Sequence, residues 1–198
     1  TLNVHPGMLK YRGANIQLLD VPGLISGAAD GRGGGREVLS VVRTADLVLF
    51  LLSVFEVEQY DRLREELYAN KVRLDTRPPN VSVSKRHKGG IRVTTSGDVG
   101  LEDETIKGVL REYGYVNADV TIREELTIDE LVDALMDNRE YLPSAVAVNK
   151  ADLIEPDYKE GADGRLRDLG LDPTEVVFIS AEEERGLDAL KEKLWERL

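Results

Sequence analysis

The sequence contains no cysteine, which excludes disulfides, thiolate metal sites and thiol nucleophiles. It contains no run approaching the roughly 18 consecutive apolar residues of a membrane span, and its first residues do not form the charged-then-apolar pattern of a secretory signal. The chain therefore reads as soluble, without a membrane partner, and the lack of cysteine fits the cytoplasm. Histidine is nearly absent too. His5 and His87 do not stand at metal-ligand spacing, which makes a metal hydrolase a poor reading.

What is present is apolar residue in globular proportion, 41% of 198 residues, enough for a sizeable core. The formal net charge of -11 argues against binding nucleic acid over the whole surface, because phosphate binding draws on clustered Lys and Arg. The distribution departs from the total. Between Lys71 and Arg92 stand seven basic residues (Lys71, Arg73, Arg77, Lys85, Arg86, Lys88, Arg92) against one acid, Asp75.

Met8 to Tyr11 and Asn15 to Leu19 flank the turn signal Arg12-Gly13 and predict a β-hairpin. Ser26 to Gly35 reads as a glycine-rich loop and Arg36 to Arg43 as a helix. Leu47 to Leu52 is a continuous apolar run, the pattern of a strand covered on both faces. Glu56 to Ala69 carries Val57, Tyr60, Leu63, Leu67 and Tyr68 at helical spacing, an amphipathic helix for that sheet. Further buried strands are expected at Ala145 to Val148 and Val176 to Ile179. The last helix, about Leu187 to Leu198, is expected to bury Leu187, Leu190, Leu194 and Leu198.

Strand and helix alternate before Val72 and after Pro143, as an α/β fold with a doubly wound, mostly parallel sheet requires. The segment between them differs. Asn80 to Ser84 and Ile91 to Thr95 flank Lys88-Gly89-Gly90 as a polar hairpin, followed by a helix at 102–113, a strand at Ala118 to Ile122 and a helix at Ile128 to Met136. Such a unit is too long for a loop and suits a small inserted α+β domain. The expected organisation is 1–71, an insertion at 72–139, and 140–198. Glu124 and Glu125 read as helix-entry charges.

Three motifs fall at predicted strand ends, where α/β sheets bind ligands. Asn149-Lys150-Ala151-Asp152 supplies a carboxylate, Asp152, that can accept the ring N–H and the exocyclic amine of guanine. Adenine lacks both donors, so discrimination on the order of 1–3 kcal/mol follows from leaving that carboxylate unpaired. The Asn149 side chain can fasten the loop and the Lys150 stem can lie along the base. Asp20-Val21-Pro22-Gly23 supplies a water-mediated Mg²⁺ ligand in Asp20 and a close backbone approach to a terminal phosphate at Gly23; an ordinary turn has the same residues. Ser180-Ala181 places a backbone N–H, that of Ala181, where the guanine carbonyl oxygen would lie. In this order the three are the γ-phosphate, base and base-edge motifs of GTPases.

With these residues the sequence resembles the Obg-related GTPases, and within them the DRG (developmentally regulated GTP-binding) proteins of archaeal type. Gly13 to Ile25, Gly31 to Arg36 and Arg43 to Asp46 are similar to the DRG sequence around the γ-phosphate motif. Pro78-Pro79-Asn80, Lys88 to Ile91 and Asn117 to Val120 are similar to the DRG insertion. The resemblance implies a P-loop GTPase-like fold binding GTP or GDP with Mg²⁺, Thr1 as a first-switch threonine touching Mg²⁺ and the γ-phosphate, and a ribosome- or translation-associated switch.

Leu24 takes the position where many small GTPases have a water-orienting glutamine. No catalytic residue is thus identified, hydrolysis is expected to be slow, and the water falls to backbone, to a partner such as a regulatory protein, or to a monovalent cation such as K⁺. Ribosome or RNA contact is implied through Lys85, Arg86, Lys88 and Arg92; a solvated charged hairpin accounts for the same residues.

The sequence departs from the family in having no Gly-x-x-x-x-Gly-Lys-Ser/Thr motif, the nest and lysine that cradle phosphates. Gly31 to Gly35 does not replace it. The family's first strand is central, so the expectation is a fragment with a gap in its sheet, lacking the phosphate-binding loop and the C-terminal domain, in which GTPase activity is doubtful. The alternative is a non-catalytic scaffold of GTPase fold.

Overall fold

The computed structural model describes residues 5–21, 41–136 and 138–198. Contacts divide the chain into two units: one reaches to Asp75 and resumes over Leu142–Leu198, and the other is Thr76–Tyr141.

In the first unit β1 (His5–Tyr11) and β2 (Ala14–Asp20) form the expected antiparallel hairpin. Arg12 and Gly13 both have positive φ, 45° and 83°, the turn whose twist matches that of paired strands. A separate parallel sheet follows the order β10-β9-β3, made of β3 (Val48–Ser53), β9 (Ser144–Asn149) and β10 (Val177–Phe178). β9 is central because Ser144 to Val148 are all buried and both its edges are paired. No strand among the described residues joins the hairpin to this sheet.

Side chains of one parity, Phe50, Leu52, Val146 and Val148, share a core with Val57, Tyr60 and Leu67 of helix α1 (Gln59–Ala69). Ala162 and Leu166 of helix α4 (Pro156–Asp168) complete it. Burying a side chain such as Leu52 or Leu166 contributes about 1.5–3 kcal/mol. Helix α5 (Leu187–Arg197) packs on β9 and β10 and buries Leu194.

Three expected core residues lie outside; one is Leu51, 56% exposed although its run reads as a strand covered on both faces. Leu198 is 55% exposed, one step past the end of α5. Tyr68 is also exposed, with the guanidinium of buried Arg73 over its ring at 3.7 Å. Of the predicted helix at 36–43, residues 41–43 are described; 41–42 are helical and Arg43 is already in a turn.

The chain leaves the first unit through β4 (Val72–Leu74) and returns through β8 (Glu140–Leu142), two short strands the sequence did not announce. At the junction Asp75 adopts a φ of 53°. Its carboxylate accepts the Ser144 N–H at 2.9 Å and also the Ser144 hydroxyl.

The second unit holds β5 (Val81–Lys85), β6 (Ile91–Thr95), α2 (Asp103–Glu112), β7 (Ala118–Ile122) and α3 (Ile128–Met136). The polar hairpin expected from β5 and β6 does not form. β7 lies between them, antiparallel to β5 and parallel to β6. The reason is hydrophobicity: Ala118, Val120 and Ile122 are fully buried, whereas β5 and β6 alternate half-buried with exposed residues and suit edges. Loop 86–90 therefore crosses the end of β7, where Asn117 holds it by accepting the Arg86 and Gly90 N–H groups at 2.9 and 2.8 Å. Ile106, Leu110 and Leu131 of the two helices cover one sheet face.

Candidate functional site

Parallel pairing brings the carboxyl ends of β9 and β10 side by side, with Phe178 opposite Val148. The Asn149 loop and the Ser180 loop leave from neighbouring strands. Asn149 links them: its Oδ1 accepts the Lys150 N–H at 2.8 Å and the Ala181 N–H at 3.0 Å. Ala151 N–H donates to the Ile179 carbonyl at 3.0 Å. Lys150 turns the chain with a φ of 66°, which swings Ala151–Leu153 into a single 3₁₀ turn and leaves the Lys150 side chain exposed.

Ser180 is buried and exchanges both backbone hydrogen bonds with Arg185 at 3.0 Å, closing the loop on itself. Its Oγ accepts the Glu183 N–H at 3.1 Å. The Ser180 hydroxyl beside Asp152 holds that carboxyl below its ordinary value, with Asp152's own backbone N–H and the positive charge of Arg185 adding to the effect against partial desolvation. Asp152 is thus an anionic acceptor on a half-buried loop. A two-acceptor carboxylate in that state fits a ligand edge with two adjacent N–H donors.

Five sequence-predicted residues, Asn149, Lys150, Asp152, Ser180 and Ala181, therefore form one cluster. The Ala181 N–H, expected to face a guanine carbonyl, donates to the Asn149 amide oxygen at 3.0 Å. Arg185 is a member that sequence reasoning missed; its only signal is the following Gly186, whose φ of 74° ends the loop. Asp20 ends β2 and is exposed. Thr1, Gly23 and Leu24 lie outside the described residues. Among the described residues no three carboxylate or histidine side chains converge to hold a metal ion, and no helix is long and apolar enough to cross a membrane.

Loops at the carboxyl ends of adjacent parallel strands, one bearing Asn-Lys-x-Asp and the other Ser-Ala, lie where an open α/β sheet binds ligands. Comparison with known proteins agrees. Residues 1–85 match a family model described as 50S ribosome-binding GTPase, and residues 88–198 match the model of the C-terminal region of that domain. The chain is 61% identical over 198 residues to an uncharacterized GTP-binding protein of Halobacterium salinarum, covering all of this chain and 54% of that protein.

Identity is 42% over 199 residues to an uncharacterized GTP-binding protein of Methanocaldococcus jannaschii, covering all of this chain and 50% of the relative. It is 40% over 200 residues to developmentally-regulated GTP-binding protein 1 of Xenopus laevis, again with all of this chain and 52% of the relative. The chain belongs to this GTPase family, among the developmentally regulated GTP-binding proteins. It spans about half the length of the curated relatives it matches.

Proposed function

We propose that this chain is the guanine-reading part of a GTP-binding switch that works with Mg²⁺ and hydrolyses GTP slowly. The observation that carries the reading is the Asn149–Ala181 link, which sets Asp152 in a fixed loop at the sheet's carboxyl edge with its charge retained. Asp152 pairs with the guanine ring N–H and amine, the Lys150 stem covers the base, and Asn149 with Ser180 and Ala181 shapes the pocket wall. Asp20, with Gly23 and Thr1, serves Mg²⁺ and the phosphates. Leu24 cannot orient water, so a monovalent cation such as K⁺ or a partner does so.

Association with the ribosome or RNA, in the cytoplasm, is the second layer. Support comes from the family description and from two of the four basic residues. Lys88 and Arg92 have no partner among the described residues, whereas Arg86 is ion-paired with Asp119 at 2.9 Å and Lys85 lies 5.3 Å from the Tyr115 ring centroid.

The test is a titration with fluorescent GDP and GTP in Mg²⁺, beside Asp152→Asn and with xanthine nucleotide as the swapped ligand. Binding that moves from guanine to xanthine in the variant upholds the base site. The same titration is run with a phosphate-binding loop joined ahead of Thr1. Absence of binding in both forms leaves a scaffold of GTPase fold.

A further inference from the structure

We propose that the uncovered face of the β5-β7-β6 sheet docks double-stranded RNA. This rests on the reading of the insertion as an RNA-contacting element, and it moves the contact from the crossing loop to the sheet itself. Strand pairing lines up two rows across the face. Ser84, Asp119 and Arg92 form one, and Ser82, Thr121 and Thr94 the next. Arg123, continuing β7 on the same parity, donates to Ser82 Oγ at 3.1 Å and stands beyond the second row. None of these side chains is apolar, and all are exposed except half-buried Thr121.

Charge is segregated between the layers. Helices α2 and α3 carry Asp103, Glu104, Glu112, Asp129, Glu130 and Asp133 on the covered side, against Lys107 and Arg111. On the open face Asp119 is satisfied by Arg86, so the guanidiniums of Arg92 and Arg123 have no carboxylate partner among the described residues. Two unneutralised guanidiniums suit backbone phosphates.

The rest of the face decides which nucleic acid fits. Single strands are held chiefly by stacking bases on aromatic rings, and the two rows contain no aromatic residue. They contain hydroxyls, which donate and accept, spaced by the roughly 4.8 Å between strands and about 6.6 Å between alternate residues. Such a surface matches the wide, shallow minor groove of A-form RNA, where 2′-hydroxyls and phosphates are displayed without base stacking.

The experiment measures binding of the full chain, by fluorescence anisotropy over a salt series, to an RNA duplex, a DNA duplex of the same sequence and single-stranded RNA. The variants are Arg92→Ala with Arg123→Ala, and separately Lys88→Glu; thermal melts confirm that each is folded. The expected result is tightest binding to the RNA duplex, weakened at least about tenfold by the double variant, with the salt slope falling by about two. Equal or tighter binding to DNA or to the single strand, or a double variant without effect, overturns the proposal; if Lys88→Glu alone then weakens RNA binding, the broader RNA reading survives. Binding to none of the three removes both.

Discussion

The Asn149 side-chain oxygen accepts the Ala181 backbone N–H at 3.0 Å, joining two loops 32 residues apart in sequence. A ligand that uses the Ala181 N–H must take it from Asn149 or share it. Asn149→Ala leaves two N–H groups unanswered, those of Lys150 and Ala181. The expected outcome is faster hydrogen exchange at both amides and nucleotide affinity weakened by about 1–3 kcal/mol, roughly fivefold to 150-fold.

Under the proposed function, Asp152 sets the acid limit of guanine binding. Its folded carboxyl lies below the ordinary value because of the Ser180 hydroxyl, so the charge survives as pH falls through the usual aspartate range and is lost only below it. By linkage the stabilisation from that charge is complete above the unfolded value and disappears through the depressed folded one. Guanine affinity is expected to be flat from pH 8 to about 5. Ser180→Ala should move the acid limb upward, which a titration of nucleotide binding against pH checks.

Two glycines give opposite predictions. At Gly186, φ is +74° and an added Cβ would meet the Phe178 carbonyl oxygen at 2.4 Å, a backbone atom that cannot move aside. Gly186→Ala is therefore expected to cost well over about 1 kcal/mol and to lower Tm. Gly108, inside α2, has open space around it, and Gly108→Ala should add about 0.5–1 kcal/mol of stability. Equal shifts in the two melts would contradict this account.

The tip of the β1–β2 hairpin is tied to α5. Tyr11 donates its hydroxyl to Glu192, Arg12 donates to the same carboxylate at 2.8 Å, and the Tyr11 ring meets Trp195 edge-on at 6.2 Å. Trp195 is the only tryptophan, so tryptophan emission reports the surroundings of this contact. Tyr11→Phe should lower Tm and shift that emission. Arg12→Ala, at an exposed pair, should cost less than about 1 kcal/mol.

Patterns along one strand or helix were legible in the sequence. Apolar-rich runs about the Arg12-Gly13 turn signal gave the hairpin, continuous apolar runs gave β3 and β9, and β7 and α3 fall at the expected residues. Partner choice was not legible, because periodicity reports which face is buried and not which neighbour is bonded. β5 and β6 therefore read as a hairpin although β7 separates them. The same limit holds at the candidate site. The residue types Asn149, Asp152 and Ser180 were visible, but the donor that each acceptor meets depends on β9 and β10 lying side by side. Arg185 has no motif at all, and its place follows only from its backbone pairing with Ser180.

The threading of β7 between β5 and β6 also bears on how the chain matures. Neither edge strand has a partner until Ile122 has been synthesised, so no early local hairpin nucleates this sheet. Once Ile122 and α3 are made, everything the sheet and its core need lies within Thr76–Tyr141. The strand that β3 pairs with among the described residues, β9, is by contrast encoded after the insertion. The inner unit is thus free to assemble while the outer one is still unfinished, and the Asp75–Ser144 clamp then closes a loop whose length adds little entropic cost, since each doubling adds only about 0.6 kcal/mol.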